Sequence, residues 1–148
     1  MWNPNKSAQV SSICTKIVIV LIACAVLAAP QLVKSYIAYA MKDPSVRITM
    51  LVMIYASSVP AMIAMVCLDR LLVNIKRKDI FIEKNVKYLR VISWCCFAVS
   101  AILLIAGFRY LLFLIIAVAA AFFGLILRVV KNVIEQAVVI KNENDFTI

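Results

Sequence analysis

The chain has 148 residues, of which 66% are apolar and only 16% are charged. An average soluble domain has roughly 45–50% apolar and about 25% charged residues, so this chain cannot form a soluble globule without exposing large apolar patches. Sixteen basic residues against seven acidic ones give a net charge of +9, and the two glycines and four prolines exclude a collagen-like or low-complexity chain. The composition indicates an integral membrane protein.

The absence of histidine limits the chemistry that the chain can perform. It removes Ser-His-Asp and Cys-His nucleophilic sites, HExxH metalloprotease sites and histidine-based zinc sites. The five cysteines form no CxxC pair, and they are Cys14, Cys24, Cys67, Cys95 and Cys96. Their surroundings are typical of small buried side chains in a reduced protein, with redox sensing or lipidation of Cys14 as the alternative. We expect no cofactor, no metal and no catalytic residue.

Charged residues divide the chain into four apolar runs, each within the ~17–25 residues that a membrane-spanning helix uses. The predicted spans are 17–39, in which Lys34 snorkels toward the surface, 48–68, 91–108 and 110–127. The alanine-rich segment before Pro30 also resembles a signal-peptide cleavage region, but the apolar character continues past the proline, so we interpret it as helix. The prediction is an all-α, polytopic membrane protein that forms one domain over residues 1–148.

The distribution of basic residues predicts the orientation of the spans. The N-terminal arm, the loop 69–90 and the tail 128–148 carry twelve of the sixteen Lys and Arg residues. Cytoplasmic segments are enriched in these residues, so both termini and the loop 69–90 are expected in the cytoplasm.

The loop 69–90 has apolar residues at helical spacing on both sides of a charged turn. The first stripe predicts that span two continues as an amphipathic helix, and it comprises Leu68, Leu71, Leu72 and Ile75. A second stripe, at Ile82, Val86 and Leu89, leads into span three. The basic residues between them favour contact with anionic lipid head groups. Phe81 and Tyr88 are too few interleaved aromatics to indicate direct nucleic-acid binding.

The tail 128–148 predicts a further cytoplasmic helix. Its apolar stripe, which projects about 16 Å beyond the bilayer at about 1.5 Å per residue, comprises Val130, Val133, Ile134, Ala137 and Val138. The stripe has three possible covers: the helices of the loop 69–90, which we favour, the membrane surface, or a partner helix.

Polar and small residues inside the spans support two further hypotheses. Pro30 and Pro60 are points where a helix can kink, and helix shaping is the simpler role for the polar residues beside them. The alternative is a pocket for an apolar ligand between spans one and two, formed by Gln31, Tyr55, Ser57 and Ser58. Small residues at helical spacing predict close packing of span four, either within the chain or in a homodimer, through Ala117, Ala120, Ala121 and Gly124.

Two short motifs resemble a bacterial family of small four-helix membrane proteins that is known only as a domain of unknown function. Residues 79–92, with the sequence Asp-Ile-Phe-Ile-Glu-Lys-Asn-Val-Lys-Tyr-Leu-Arg-Val-Ile, resemble its hallmark before span three, and the acidic ending 143–148 resembles its terminus. The span layout extends the resemblance over nearly the whole chain. Ile82 stands where the family often has Ser or Thr, which calls the side-chain cap of the helix entering span three into question. Phe146 stands where Leu is usual.

The resemblance implies a regulatory role. Genes of the family often lie beside one for a small helix-turn-helix regulator, which implies a membrane partner that holds or releases a DNA-binding protein. The candidate partner-binding residues are Lys76, Arg77, Lys78, Asp79, Phe81, Asn85, Glu143, Asp145 and Phe146.

An enzyme or a proton-coupled transporter is the least supported class, because the uncharged runs offer no ionisable group inside the membrane. The remaining alternative to a regulatory partner is a small channel or transporter subunit, or an envelope component, that uses the pocket between spans one and two.

Overall fold

The computed structural model describes residues 4–41, 43–108 and 111–146, except the side chains of 4–6, 8, 112, 145 and 146. It contains four α-helices, which are α1 (Pro4–Tyr39), α2 (Val46–Lys76), α3 (Glu83–Gly107) and α4 (Leu111–Phe146). Each helix includes a segment long and apolar enough to cross a bilayer. The predicted all-α fold with four potential membrane spans is confirmed.

The helices pack in chain order and do not close into a bundle. α1 contacts α2, α2 also contacts α3, and α3 also contacts α4, while no other pair of helices touches within the described part of the chain. Short connections make consecutive helices antiparallel, so the C-terminal ends of α1 and α3 and the N-terminal ends of α2 and α4 lie at one end of the molecule, and the loop 77–82 lies at the other. We call the first the hairpin end (residues 40–41, 43–50, 103–108 and 111–113) and the second the basic end (residues 69–90 and 128–146).

All four helices continue past their apolar runs at the end opposite the hairpin end: the extensions predicted for α2, α3 and α4 are present, and α1 begins at Pro4, before its predicted span. α2 extends to Lys76 and α3 begins at Glu83, with Val86 and Leu89 of the second stripe buried. The extension of α4 packs against α3, where Val138 is buried, whereas Val133 remains 60% exposed. α3 therefore covers one side of the apolar stripe in the tail and leaves the other side open.

Small residues and two serines join α3 to α4. Ala117 is fully buried, and a Cβ atom added to Gly124 would lie 3.1 Å from Cε1 of Phe97. The hydroxyl of Ser100 donates to the carbonyl oxygen of Ala117 at 2.8 Å, and that of Ser93 donates to the carbonyl oxygen of Gly124 at 2.9 Å. Close approach of the two backbones thus permits hydrogen bonds between the helices.

The small-residue face of span four packs within the chain. Its four residues are Ala117, Ala120, Ala121 and Gly124, of which the first and last are buried and the middle two are half-buried. α3 of the same chain occupies the face, so Ala117 and Gly124 are not accessible to a second copy.

The proline-containing helices are continuous, since α1 runs through Pro30 and α2 through Pro60. The Ser57 hydroxyl donates to the carbonyl oxygen of Met53 at 2.8 Å, and the Ser58 hydroxyl donates to that of Tyr55 at 2.8 Å. Both serines bond back to their own helix, as the helix-shaping interpretation predicts.

Candidate functional site

The turn between α2 and α3 ends α2 with a defined hydrogen-bond pattern. The N–H of Lys78 donates to the carbonyl oxygen of Ile75 at 3.0 Å, and the N–H of Asp79 donates to that of Asn74 at 3.1 Å. This pair of bonds is the Schellman motif, in which the residue after the C-cap adopts a left-handed conformation. Lys78 occupies that position with φ of 65°, where glycine is usual. The chain therefore turns away from α2 at a strained lysine.

Asn85 holds the same turn from α3. Its side chain is 1% exposed, and its Nδ2 donates to the carbonyl oxygens of Asp79 and Ile80, both at 2.8 Å. Its Oδ1 accepts a hydrogen bond from Nδ2 of Asn74 at 2.7 Å. Ile82, the N-cap of α3, supplies no side-chain cap. One buried amide thus connects the end of α2, the turn and the first turn of α3.

This geometry corrects the role predicted for Asn85. It was expected to contact a partner, but its donor and acceptor are engaged inside the protein and its surface is buried. It is a positioning residue. Asn74, its partner, belongs to no sequence motif. The only signal at this position is that it directly precedes Ile75, the last residue of the apolar stripe.

The turn that Asn85 holds presents six consecutive exposed residues, 76–81, which we call the basic turn surface. Three basic side chains come first and are followed by Asp79. Ile80 and Phe81 then place apolar side chains in solvent, with Phe81 46% exposed. The surface combines positive charge with an exposed apolar pair on a backbone of fixed shape.

A groove of about 240 Å³ lies between α3 and the α4 extension. It has an apolar floor and a charged rim, and its lining residues are Glu83, Val86, Lys87, Arg90, Glu135, Val138, Val139 and Asn142. Glu143 is exposed close to it in sequence, whereas the side chains of Asp145 and Phe146 lie outside the described residues. We call this surface the α3–α4 groove.

Glu135 links the two walls of the groove. Its carboxylate accepts from Nζ of Lys131 at 2.6 Å and from Nη2 of Arg90 at 3.3 Å. The hydrogen bond from Lys131 is the main cause that lowers the pKa of Glu135. Desolvation opposes that shift, while the positive charges of Lys131 and Arg90 add to it. Glu135 therefore carries its charge at neutral pH and ties α4 to α3.

The hairpin end contains an apolar cavity of about 440 Å³. α2, α3 and the first turn of α4 enclose it, and its lining residues are Val46, Thr49, Met50, Met53, Ile54, Ser57, Leu103, Ile105, Ala106, Phe108 and Phe113. Of the four residues proposed for a ligand pocket, Ser57 lines this cavity, and Gln31, Tyr55 and Ser58 do not.

The cavity lies between α2 and α3, whereas the predicted pocket lies between spans one and two. Ala29 and Val33 of α1, which contacts α2, are 2% and 5% exposed. Small and β-branched side chains let two helices approach closely. A ligand pocket between spans one and two stays a prediction.

Comparison with known proteins gives one match. The model of a family described as "Protein of unknown function (DUF2975)" matches residues 34–148, which contain α2, α3, α4 and the basic turn surface. No curated protein and no solved structure matches the chain. The matched segment includes both motifs that carried the family resemblance.

Proposed function

The chain belongs to the DUF2975 family of proteins of unknown function, and from this premise we propose that it binds a cytoplasmic helix-turn-helix transcription regulator at its basic end. In this proposal it is a non-enzymatic protein of the bacterial cell membrane. Twelve of its sixteen basic residues lie on the side of the basic end, which favours a cytoplasmic location for that end. The regulator is the partner that the family's gene neighbourhood implies.

The observation that carries the proposal is the fixed conformation of the basic turn surface. Asn85 holds the backbone at Asp79 and Ile80, although the side chains of residues 76–81 are exposed. A surface that is ordered before binding loses less conformational entropy when a partner docks. The exposed Phe81 can act as an apolar anchor, and the adjacent basic residues favour a partner with an acidic patch.

The α3–α4 groove supports a helical partner. Val86, Val138 and Val139 give it an apolar strip, and Glu83 and Lys87 place opposite charges on its rim. An amphipathic helix binds such a groove with anchors at i, i+3 or i+4, and i+7. Regulators of the helix-turn-helix class are built from short helices that present faces of this kind.

The proposal is tested by measuring the affinity of the full-length protein in nanodiscs for a purified small helix-turn-helix regulator of the class that the family's gene neighbourhood implies. Replacing two exposed basic residues of the turn, in Arg77→Gln/Lys78→Gln, should weaken binding by about tenfold, because each lost charge pair at an interface rim reduces steering and complementarity. The matched control is Lys34→Gln/Arg47→Gln, which removes two exposed basic residues near the hairpin end.

The control should bind as the unchanged protein does. Cysteine labelling of both variants verifies that the spans keep their orientation. Binding that is undetectable for the unchanged protein, or equal for both double variants, would show that the basic turn surface does not recognise the regulator.

The cavity at the hairpin end favours a second candidate function, namely binding of an apolar ligand by a small channel or transporter subunit or an envelope component. Its volume of about 440 Å³ falls within the ~300–1,000 Å³ of small-molecule sites. Filling it with Ala106→Phe should abolish partition of an apolar fluorescent probe into the protein. Ala101→Phe, at an exposed position of α3, is the control. A probe signal unaffected by Ala106→Phe would contradict this candidate.

A further inference from the structure

A cluster of cationic side chains surrounds an exposed tryptophan where α3 and α4 leave their apolar runs. The guanidinium carbon of Arg128 lies 5.4 Å from the centre of the Trp94 ring, within cation–π distance. A cleft of about 50 Å³ opens beside the pair, and its other lining residues are Arg90, Ser93 and Lys131. We call this the Trp94 cleft.

The Trp94 cleft lies at the depth where lipid head groups are expected. Arg90 is the last charged residue before the run 91–108, and Arg128 is the first after the run 110–127. Because α3 and α4 are antiparallel neighbours, the two arginines reach the same boundary of the apolar zone. Tryptophan is enriched at this boundary, and Trp94 is 59% exposed there.

The charge in the cleft is only partly compensated within the protein. Of the three cations that line the cleft, Arg90 and Lys131 share one carboxylate, Glu135, which accepts one hydrogen bond from each. A guanidinium has five N–H donors and an ammonium has three. Donors therefore remain on Arg90 and Lys131, and Arg128 adds a further guanidinium beside the Trp94 ring.

We propose that the Trp94 cleft binds the phosphate of an anionic phospholipid, with the acyl chains lying along α3. At about 50 Å³ the cleft has room for phosphate oxygens but not for a large soluble molecule. On the apolar side, Trp94 meets Phe97 edge to face, with ring centres 6.2 Å apart. This aromatic pair continues from the head-group level into the apolar zone, where a lipid chain runs. A head group with an uncompensated negative charge fits the excess of cations better than a zwitterionic one.

Native mass spectrometry of the full-length protein tests this proposal with phosphatidylglycerol and phosphatidylcholine of identical acyl chains. The unchanged protein should retain phosphatidylglycerol preferentially. Arg128→Gln/Lys131→Gln should lower that retention by about thirtyfold, in line with about 1 kcal/mol for each of two basic residues at a membrane surface. The control Lys34→Gln/Arg47→Gln removes the same charge near the hairpin end, outside the cleft and outside the basic turn surface, and should change retention less than twofold.

Fluorescence gives a second measurement that does not depend on mass spectrometry. The chain has two tryptophans, so Trp2→Phe leaves Trp94 as the sole indole reporter. Phosphatidylglycerol brominated on its acyl chains should quench Trp94 at least twice as strongly as brominated phosphatidylcholine, and Arg128→Gln/Lys131→Gln should abolish the difference. The proposal is wrong if the two lipids quench equally, if Lys34→Gln/Arg47→Gln reduces retention as much as the cleft variant, or if inorganic phosphate at millimolar concentration displaces the lipid.

Discussion

The hairpin end and the basic end reverse the direction of the chain by different physical means. At the hairpin end α3 and α4 approach so closely that a Cβ atom on Gly107 would lie 3.0 Å from the backbone nitrogen of Leu114. At the basic end the turn between α2 and α3 is held by the buried side chain of Asn85. The hairpin end thus depends on space and the basic end on hydrogen bonds.

This difference matches the sequences of the two ends. At the hairpin end a short connection joins two apolar helices, so their approach is limited mainly by steric fit. In a turn exposed to water, solvent competes with the protein for the backbone N–H and C=O groups. A buried side chain that bonds these groups keeps the turn in one conformation. The buried amide of Asn85 bonds the carbonyl oxygens of Asp79 and Ile80 in this way, so the basic turn surface is exposed but ordered.

The largest expected effect is that of Asn85→Ala at the basic end. The change removes three hydrogen bonds and leaves the amide of Asn74 and the carbonyls of Asp79 and Ile80 without this partner. The expected loss is about 2–4 kcal/mol of stability, because buried polar groups without partners are costly. Thermal unfolding in detergent measures it, and hydrogen exchange should accelerate selectively over residues 77–82.

Asn132→Ala is the matched control for this prediction, since Asn132 is exposed on α4. It should change stability by less than about 0.5 kcal/mol. Equal unfolding temperatures for the two alanine variants would contradict the role of Asn85 as the residue that positions the turn.

Gly107→Val probes the hairpin end in the same way. The added side chain would meet the backbone of Leu114, which cannot rotate away as a side chain does, so the helices must separate. Overpacking of this kind costs about 1–3 kcal/mol. Ala101→Val places the same side chain at an exposed position of α3 and should be nearly neutral. If Gly107→Val also proved neutral, the hairpin would not depend on close approach.

The positions and lengths of the four helices could be predicted from the sequence. Charged residues are costly in hydrocarbon, so charges such as Lys16, Asp69, Arg90 and Arg128 mark the boundaries of the apolar runs. The lengths of these runs predict four long helices. The extension of α2, α3 and α4 follows from stripes of apolar residues at helical spacing.

The pairing of the helices and the position of the cavity could not be predicted. All four helices are apolar on most of their surface, so hydropathy does not reveal which face of α2 meets α1 and which meets α3. Asn85 and Asn74 are eleven residues apart, and their hydrogen bond exists only once the turn has formed. The sequence therefore does not distinguish a buried Asn85 from a partner-binding residue, and it gives no signal for Asn74.

Lys78→Gly should stabilise the protein at the turn of the basic end. Lys78 adopts a left-handed conformation at the position where the Schellman motif favours glycine. Glycine relieves this strain, and the expected gain is about 0.5–1 kcal/mol in thermal unfolding. Lys76→Gly removes the same charge two residues earlier, inside α2, and should lower stability instead, since glycine is a poor helix former. If both variants changed the stability in the same direction, the assignment of this turn as a Schellman motif would be contradicted.

The smallest effect is expected from acidification of the α3–α4 groove. Because the hydrogen bond from Lys131 lowers the pKa of Glu135 below its ordinary value of 4.5, the ionised carboxylate stabilises the folded protein. That stabilisation is fully present above pH 4.5 and disappears as the pH falls through the lower pKa of the folded state. Emission of Trp94 in a Trp2→Phe background, followed during titration downward from neutral pH, should report loosening of α4 from α3. Glu135→Gln should remove this acid response, and Glu83→Gln, which takes one carboxylate from the same groove, should retain it. An unchanged response in Glu135→Gln would show that another group controls the contact between the two helices.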